Sequence, residues 1–266
     1  MKVLIVGYGN MGKTYANSFI SSRFIKPEDI FVLVRNDNFS TSESSIPTAN
    51  FSSVPTEKVC DFDIVILAVK PQDFDVLAHS IKPYLKDDQI VFSVMAGITI
   101  SKLESQLSCS KIVRSMPNIP TQIGMGMTVF SASANVDRKE LFIIQNLINT
   151  TGKSVYVENE KLIDAATAIS GSGPAYVFYF MQSMIKAAVD LGFNESEAEL
   201  LVNQTFMGSV AIQNSYSLSN EEWIKKVASK GGTTERALQV FEKQSLEETI
   251  VDAINAANDR ALELGS

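Results

Sequence analysis

Val3-Leu4-Ile5-Val6-Gly7-Tyr8-Gly9-Asn10-Met11-Gly12 is the stretch that decides how this chain folds. Four apolar residues in a row, three of them β-branched, predict a strand buried on both faces. The glycines at 7, 9 and 12 then have the spacing of a G-x-G-x-x-G turn, which hands such a strand to a helix. Gly7 is expected to make the tight turn, Gly9 to let a pyrophosphate approach the backbone, and Gly12 to let helix and strand pack closely. The helix, placed at Met11 to Arg23, would offer its free N–H groups and positive dipole end to phosphates. Glycine-rich turns are common; a strand before and a helix after make this one a dinucleotide site.

Outward from that turn, apolar strands alternate with helical segments, the mark of an α/β fold whose parallel sheet is covered on both faces. Asp29–Val34 is read as a second strand, Asp63–Val69 as another, with further strands at Gln89–Met95, Lys111–Arg114, Met127–Ser131 and Ser154–Val157. Helices are placed at Pro71–Leu85, Thr99–Leu107 and Asp137–Thr151. The Ser-, Thr- and Asn-rich residues Asn36 to Pro55 read as an exposed loop. The second strand ends in Arg35, where an acid would select NAD through its ribose hydroxyl. A guanidinium there pairs with a 2′-phosphate in a planar fork and favours NADPH, while Asp37 keeps NADH open. Ala68-Val69-Lys70-Pro71 closes the next strand at the edge where open α/β sheets bind ligands, with Lys70 read equally as cleft lining or as solvated strand end. Ala96-Gly97 and Met116 to Pro120 are turns at two more strand ends, the second stiffened by its prolines.

Near Glu158 the pattern changes, so the chain is divided into 1–158 and 159–266, the second part purely helical. Asp164, Ser172, Ser196, Asn220 and Thr233 stand at cap or first-turn positions. The helix Pro174–Leu191 is apolar all round for three turns, which calls for burial in a core or against another subunit. With so short a helical half, a subunit interface is expected.

The 266 residues are 45% hydrophobic and 20% charged, with a net charge of −7. The acidic balance argues against nucleic-acid or membrane-surface partners. Neither a signal peptide nor a membrane span is expected, and Cys60 and Cys109 read as free thiols of a cytoplasmic protein.

A second informative stretch is Val227-Ala228-Ser229-Lys230-Gly231-Gly232-Thr233-Thr234-Glu235, a glycine loop entering an amphipathic helix. Its backbone N–H groups suit a small anion such as a carboxylate, and an ordinary helix cap accounts for the residues equally well. The only histidine, His79, sits mid-helix and reads as a surface residue, so histidine-based acid–base chemistry is poorly supported. No cluster has metal-ligand spacing, and no G-x-S-x-G elbow is present. Hydride transfer to a C=N bond fits better, because an imine nitrogen is basic enough to arrive protonated.

Taken together, Gly7–Gly12, Ala68–Pro71, Ala96–Thr99, Arg114–Pro120, Ser170–Tyr176 and Gly231–Thr234 resemble, in order, the motifs of the pyrroline-5-carboxylate reductase family. The resemblance implies an N-terminal Rossmann domain followed by an all-α dimerisation domain. It implies NADPH-dependent reduction of 1-pyrroline-5-carboxylate to L-proline, in a homodimer that some members assemble into larger rings. By the same resemblance Gly7, Tyr8, Gly9, Asn10, Met11, Gly12, Ala68, Val69, Lys70 and Pro71 would hold the cofactor, joined by Arg35, with Asn118 and Pro120 near the nicotinamide. Ser229, Gly231, Gly232 and Thr233 would hold the substrate carboxylate, and Thr234 would place its hydroxyl at the ring nitrogen as the catalytic residue. Three positions depart from the family: Lys230 where many members have proline, Ser217–Asn220 in place of an acidic residue and a His-Pro pair, and Pro55 where an adenosine-contacting Asn is common. These keep two alternatives open, a reductase of a different cyclic imine and a non-catalytic NADP-binding paralogue. A β-hydroxyacid dehydrogenase would need an early lysine in the long helix, and the chain has none before Lys186.

Overall fold

The computed structural model describes residues 1–35 and 44–265. The readings made at Asn36, Asp37 and the serine-rich stretch through Thr41–Glu43 therefore lie outside the described residues. The first strand, β1 (Val3–Val6), runs through the turn into α1 (Asn10–Ser21), followed by β2 (Ile30–Leu33), β3 (Phe51–Ser52) and β4 (Ile64–Leu67). Then come α2 (Phe74–Ile81), β5 (Ile90–Ser93), α3 (Ile100–Leu107), β6 (Ile112–Met116), β7 (Gly126–Ala132), α4 (Arg138–Asn149) and β8 (Gly152–Tyr156). The remaining helices are α5 (Leu162–Ala166), α6 (Gly173–Asp190), α7 (Glu195–Ser215), α8 (Asn220–Val227), α9 (Thr233–Lys243) and α10 (Leu246–Gly265). Two compact units emerge: Met1–Ser172 with Ala257–Ser266, and Gly173–Ala256.

The first unit holds one eight-stranded sheet in the order β3-β2-β1-β4-β5-β6-β7-β8. β1 lies parallel to both neighbours, with Val3 in register with Ile30 and with Ile64. Alternation along the strands sorts their side chains into two cores. Val3, Ile5, Ile64, Ile66 and Phe92 pack with Tyr15, Ala16 and Phe19 of α1 and Ile144, Leu147 and Ile148 of α4. Leu4, Val6, Val65, Leu67 and Val91 pack with Phe74, Ala78 and Ile81 of α2 and Leu103 and Leu107 of α3. Burying both faces explains why β1 and β4 read as unbroken apolar runs rather than alternating ones.

Two features differ from the sequence reading. The sheet is not wholly parallel: β6 and β7 pair antiparallel, Val113 opposite Ala132. Only nine residues, wound into a 3₁₀ turn at Ile119–Ile123, connect them, too few for the crossover a parallel pair needs. The stretch read as loop up to Pro55 contains β3, two residues that extend the sheet beside β2.

In the second unit α7 and α8 begin with complete capping boxes at Asn194/Glu197 and Ser219/Glu222. Asn220 and Thr233 are the first residues of their helices, one position inside the caps. None of the 18 residues of α6 is buried, so the option of an intrachain core for this helix is overturned. Its apolar side chains, among them Phe178 at 61% and Tyr179 at 71% exposure, have no core of their own chain to enter. Among the described residues no helix is long and apolar enough to cross a membrane.

Candidate functional site

The strand order reverses direction at β1: β2 lies to one side and β4 to the other. The turns after β1 and β4 therefore diverge at the carboxyl edge of the sheet, opening the crevice in which such folds bind ligands. Gly7 has φ +96°, and its N–H donates to the Leu33 carbonyl at 2.8 Å. A Cβ added there would lie 2.7 Å from the Ala68 carbonyl oxygen, so the glycine turn and the Ala68–Pro71 loop are packed backbone to backbone. A Cβ on Gly12 would collide with the Gly7 carbonyl oxygen, which is the close strand–helix approach expected of it. Gly9 is different: a Cβ there meets nothing within 4 Å. It caps α1 with no side-chain hydrogen bond, and no acid occupies the first turn. The first-turn amides of Asn10, Met11 and Gly12 thus face an open, positively polarised approach.

Around this centre, Tyr8 stacks edge-on against Phe51 at 5.2 Å, and its hydroxyl lies 3.0 Å from Ser44 Oγ. Val69 packs on the second core, Lys70 is exposed, and Pro71 opens a 3₁₀ turn ending in Asp73. The exposed guanidinium of Arg35 lies 3.7 Å from Asp73 Oδ1, bringing the ends of β2 and β4 together. Asp73 was not singled out in the sequence, because the pairing spans two strand ends far apart in the chain.

The Met116–Pro120 turn is held from below. Arg114, 1% exposed, pairs through Nη1 with Glu160 at 2.9 Å and through Nη2 with Asp164 at 2.5 Å. Glu160 also accepts the N–H of Ile100 at 2.8 Å. Neither acid was anticipated as its partner, since the sequence marks Arg114 as a strand residue opening a family motif and says nothing of what it pairs with. The side chain of Asn118, expected beside the nicotinamide, is engaged at both ends: Nδ2 donates to the Ser170 carbonyl at 3.1 Å, and Oδ1 accepts the Met127 N–H at 2.8 Å. It ties the turn to Thr167–Gly171, which winds as a single π-turn, a distortion common near functional sites. Pro120 stands in the first turn of the 3₁₀ segment, half-buried.

In the second unit, Ser229 to Gly232 form a tight turn closed by Gly232 N–H on the Ser229 carbonyl at 2.9 Å. Gly231, third in the turn, has φ +74°, the conformation that a type II turn reserves for glycine. Its N–H donates to Glu235 Oε2 at 2.6 Å. Gly232 caps α9 without a side-chain hydrogen bond, so the first-turn amides beginning at Thr233 and Thr234 have no cap. Ser229 and Thr233 are exposed and Thr234 is half-buried.

Comparison with known proteins bears on both units. Residues 160–264 match the family model described as pyrroline-5-carboxylate reductase dimerisation, and residues 2–97 the one described as NADP oxidoreductase, coenzyme F420-dependent. The chain is 32% identical to the pyrroline-5-carboxylate reductase of Staphylococcus aureus (strain COL) over 268 residues, covering 100% of this chain and 98% of the relative. The chain belongs to the pyrroline-5-carboxylate reductase family. The family member named pyrroline-5-carboxylate reductase 2 in Bacillus subtilis (strain 168) is 34% identical, over 99% of this chain and 95% of its own. The fold is shared with family members of known structure. The Plasmodium falciparum pyrroline carboxylate reductase, solved with NADP bound, matches with a TM-score of 0.89 and 32% identity, covering 100% of this chain and 98% of its own. The Coxiella burnetii enzyme matches with a TM-score of 0.90 and 30% identity over the same shares. The exposed apolar side chains of α6 lie within the matched dimerisation region.

Proposed function

We propose that this protein reduces 1-pyrroline-5-carboxylate to L-proline with NADPH, the last step of proline biosynthesis. The observation that carries this is the match over the whole chain to proteins named pyrroline-5-carboxylate reductase. The structure fits the cofactor: the open face at Gly9, the uncapped start of α1 and the guanidinium at Arg35 suit a pyrophosphate and a 2′-phosphate. In this reading residues 1–158 hold the cofactor, with Gly7 to Gly12 and Ala68 to Pro71 at its pyrophosphate, and 159–266 bind substrate and make the dimer. Bound NADPH supplies a hydride to the imine carbon, which turns C=N into C–N and leaves NADP⁺. The protein's part is orientation. The first-turn amides of α9 hold the ring carboxylate, and the Thr234 hydroxyl hydrogen-bonds the ring nitrogen, which arrives with its proton. Asn118 contributes by fixing the turn in front of the Ser170 carbonyl rather than by donating its amide to the cofactor. A homodimer, assembled in some settings into a ring, and a cytoplasmic location complete the proposal, the latter in keeping with two unpaired cysteines.

The test is loss of reduced-nicotinamide absorbance with purified protein and 1-pyrroline-5-carboxylate, run with NADPH and with NADH. Rapid, substrate-dependent oxidation is expected, faster at low NADPH than at low NADH. Thr234→Ala is expected to lower kcat about a hundredfold while NADPH binding changes little. Protein that binds NADPH yet turns over no 1-pyrroline-5-carboxylate would refute the reading.

A further inference from the structure

The turn at Ser229–Gly232 holds two residues with little intrinsic preference for the conformation they adopt. A type II turn favours proline at its second position, whose ring presets φ, and that position here is Lys230. The next residue, Gly231, is free to leave φ +74° at small cost. Such a turn, left alone, would wander, and with it the approach to the uncapped first turn of α9. One contact opposes this. Glu235, half-buried in the first turn of α9, reaches back four residues and accepts the Gly231 N–H at 2.6 Å, shorter than an ordinary amide hydrogen bond. The carboxylate fastens the one residue of the turn that needs an unusual backbone conformation to the helix that follows it.

We propose that Glu235 is a positioning residue for the substrate carboxylate, bracing the Ser229–Gly232 turn through Gly231 in place of the rigidity a proline at 230 would provide. A second consequence concerns the anion site itself. Gly231 and Gly232 spend their N–H groups inside the turn, on Glu235 and on the Ser229 carbonyl. That leaves the amides of Thr233 and Thr234 open at the start of α9. This rests on the reading of the turn as the substrate-carboxylate site.

The experiment is steady-state kinetics on the full chain, comparing the parent with Glu235→Ala, Glu235→Gln and the double variant Lys230→Pro/Glu235→Ala. Glu235→Ala is expected to raise KM for 1-pyrroline-5-carboxylate about tenfold, the value of one charge-assisted hydrogen bond near the surface, without a matching rise in KM for NADPH. Glu235→Gln, still an acceptor, keeps most of the parent's affinity, and the proline in the double variant restores it. An unchanged KM for the imine in Glu235→Ala, an equal rise for both substrates, or no rescue by proline would overturn the proposal. Parent protein without turnover would instead refute the substrate reading. The brace is then read alone from Gly231 amide exchange in ¹⁵N-glycine-labelled protein: faster exchange in Glu235→Ala supports it, and unchanged exchange overturns it.

Discussion

Gly9 and Gly12 stand three residues apart and fail for different reasons when given a side chain. At Gly9 a Cβ enters open space, and with φ near −79° an alanine is unstrained. Gly9→Ala is therefore expected to keep the parent's melting temperature, while the methyl stands in the path of a pyrophosphate and raises KM for NADPH by about tenfold or more. At Gly12 the methyl runs into the Gly7 carbonyl oxygen, so Gly12→Ala costs stability first, about 2 kcal/mol or more in thermal unfolding. A calorimetric scan beside a cofactor titration separates the two. The turn geometry at both glycines was readable from the sequence because the motif is local: strand, turn and helix lie within the first 21 residues. The partners of Arg35, Arg114 and Gly231 were not, for reasons of geometry. Asp73 and Asp164 reach their arginines only after strands have paired, and Glu235 meets Gly231 because a helix start bends back over its own turn.

Among the elements, β6 and α5 are joined by a buried ion-pair cluster rather than by apolar packing alone. Arg114 has its charge balanced by Glu160 and Asp164, and removing one acid leaves a buried cation under-compensated. Asp164→Ala is expected to destabilise by about 3 kcal/mol, a fall in melting temperature of roughly 6–12 °C for a chain of this size. Asp164→Asn, which keeps an oxygen acceptor, should lose less. At the start of α8 the effect depends on pH. Hydrogen bonds from the Ser219 backbone and hydroxyl hold the Glu222 carboxyl below its ordinary value. A lowered carboxyl contributes stability above the unfolded-state pKa and loses it as pH falls through the lower folded value. Parent and Glu222→Gln should thus differ in thermal unfolding at neutral pH and converge in acid. The antiparallel β7 escaped the sequence reading because strand direction is set by connection length, and the prolines at 117 and 120 suggest a rigid turn without revealing that no crossover fits. The two-residue β3 is too short for any periodicity to register.

For the whole molecule, the decisive surface is α6. An all-round apolar helix was read as buried in its own core or in another subunit, and the single chain buries none of it. Phe178 and Tyr179 stand exposed in a region that matches a dimerisation family. Phe178→Asp leaves the chain's own core untouched and is expected to shift the protein to a smaller species in light scattering. An unchanged mass would place the subunit contact elsewhere.

The chain leaves the first unit at Ser172 and returns to it at Ala257, within α10. Ala261, near the end, is 7% exposed and is part of what that unit buries. All eight strands precede residue 157, so during synthesis the sheet can pair long before the last two turns of α10 leave the ribosome. The nucleotide fold is then the first part of the protein to take shape and the last to be finished, and a nascent chain stalled in α9 would carry a complete sheet, covered on both faces, without the α10 residues that close its unit.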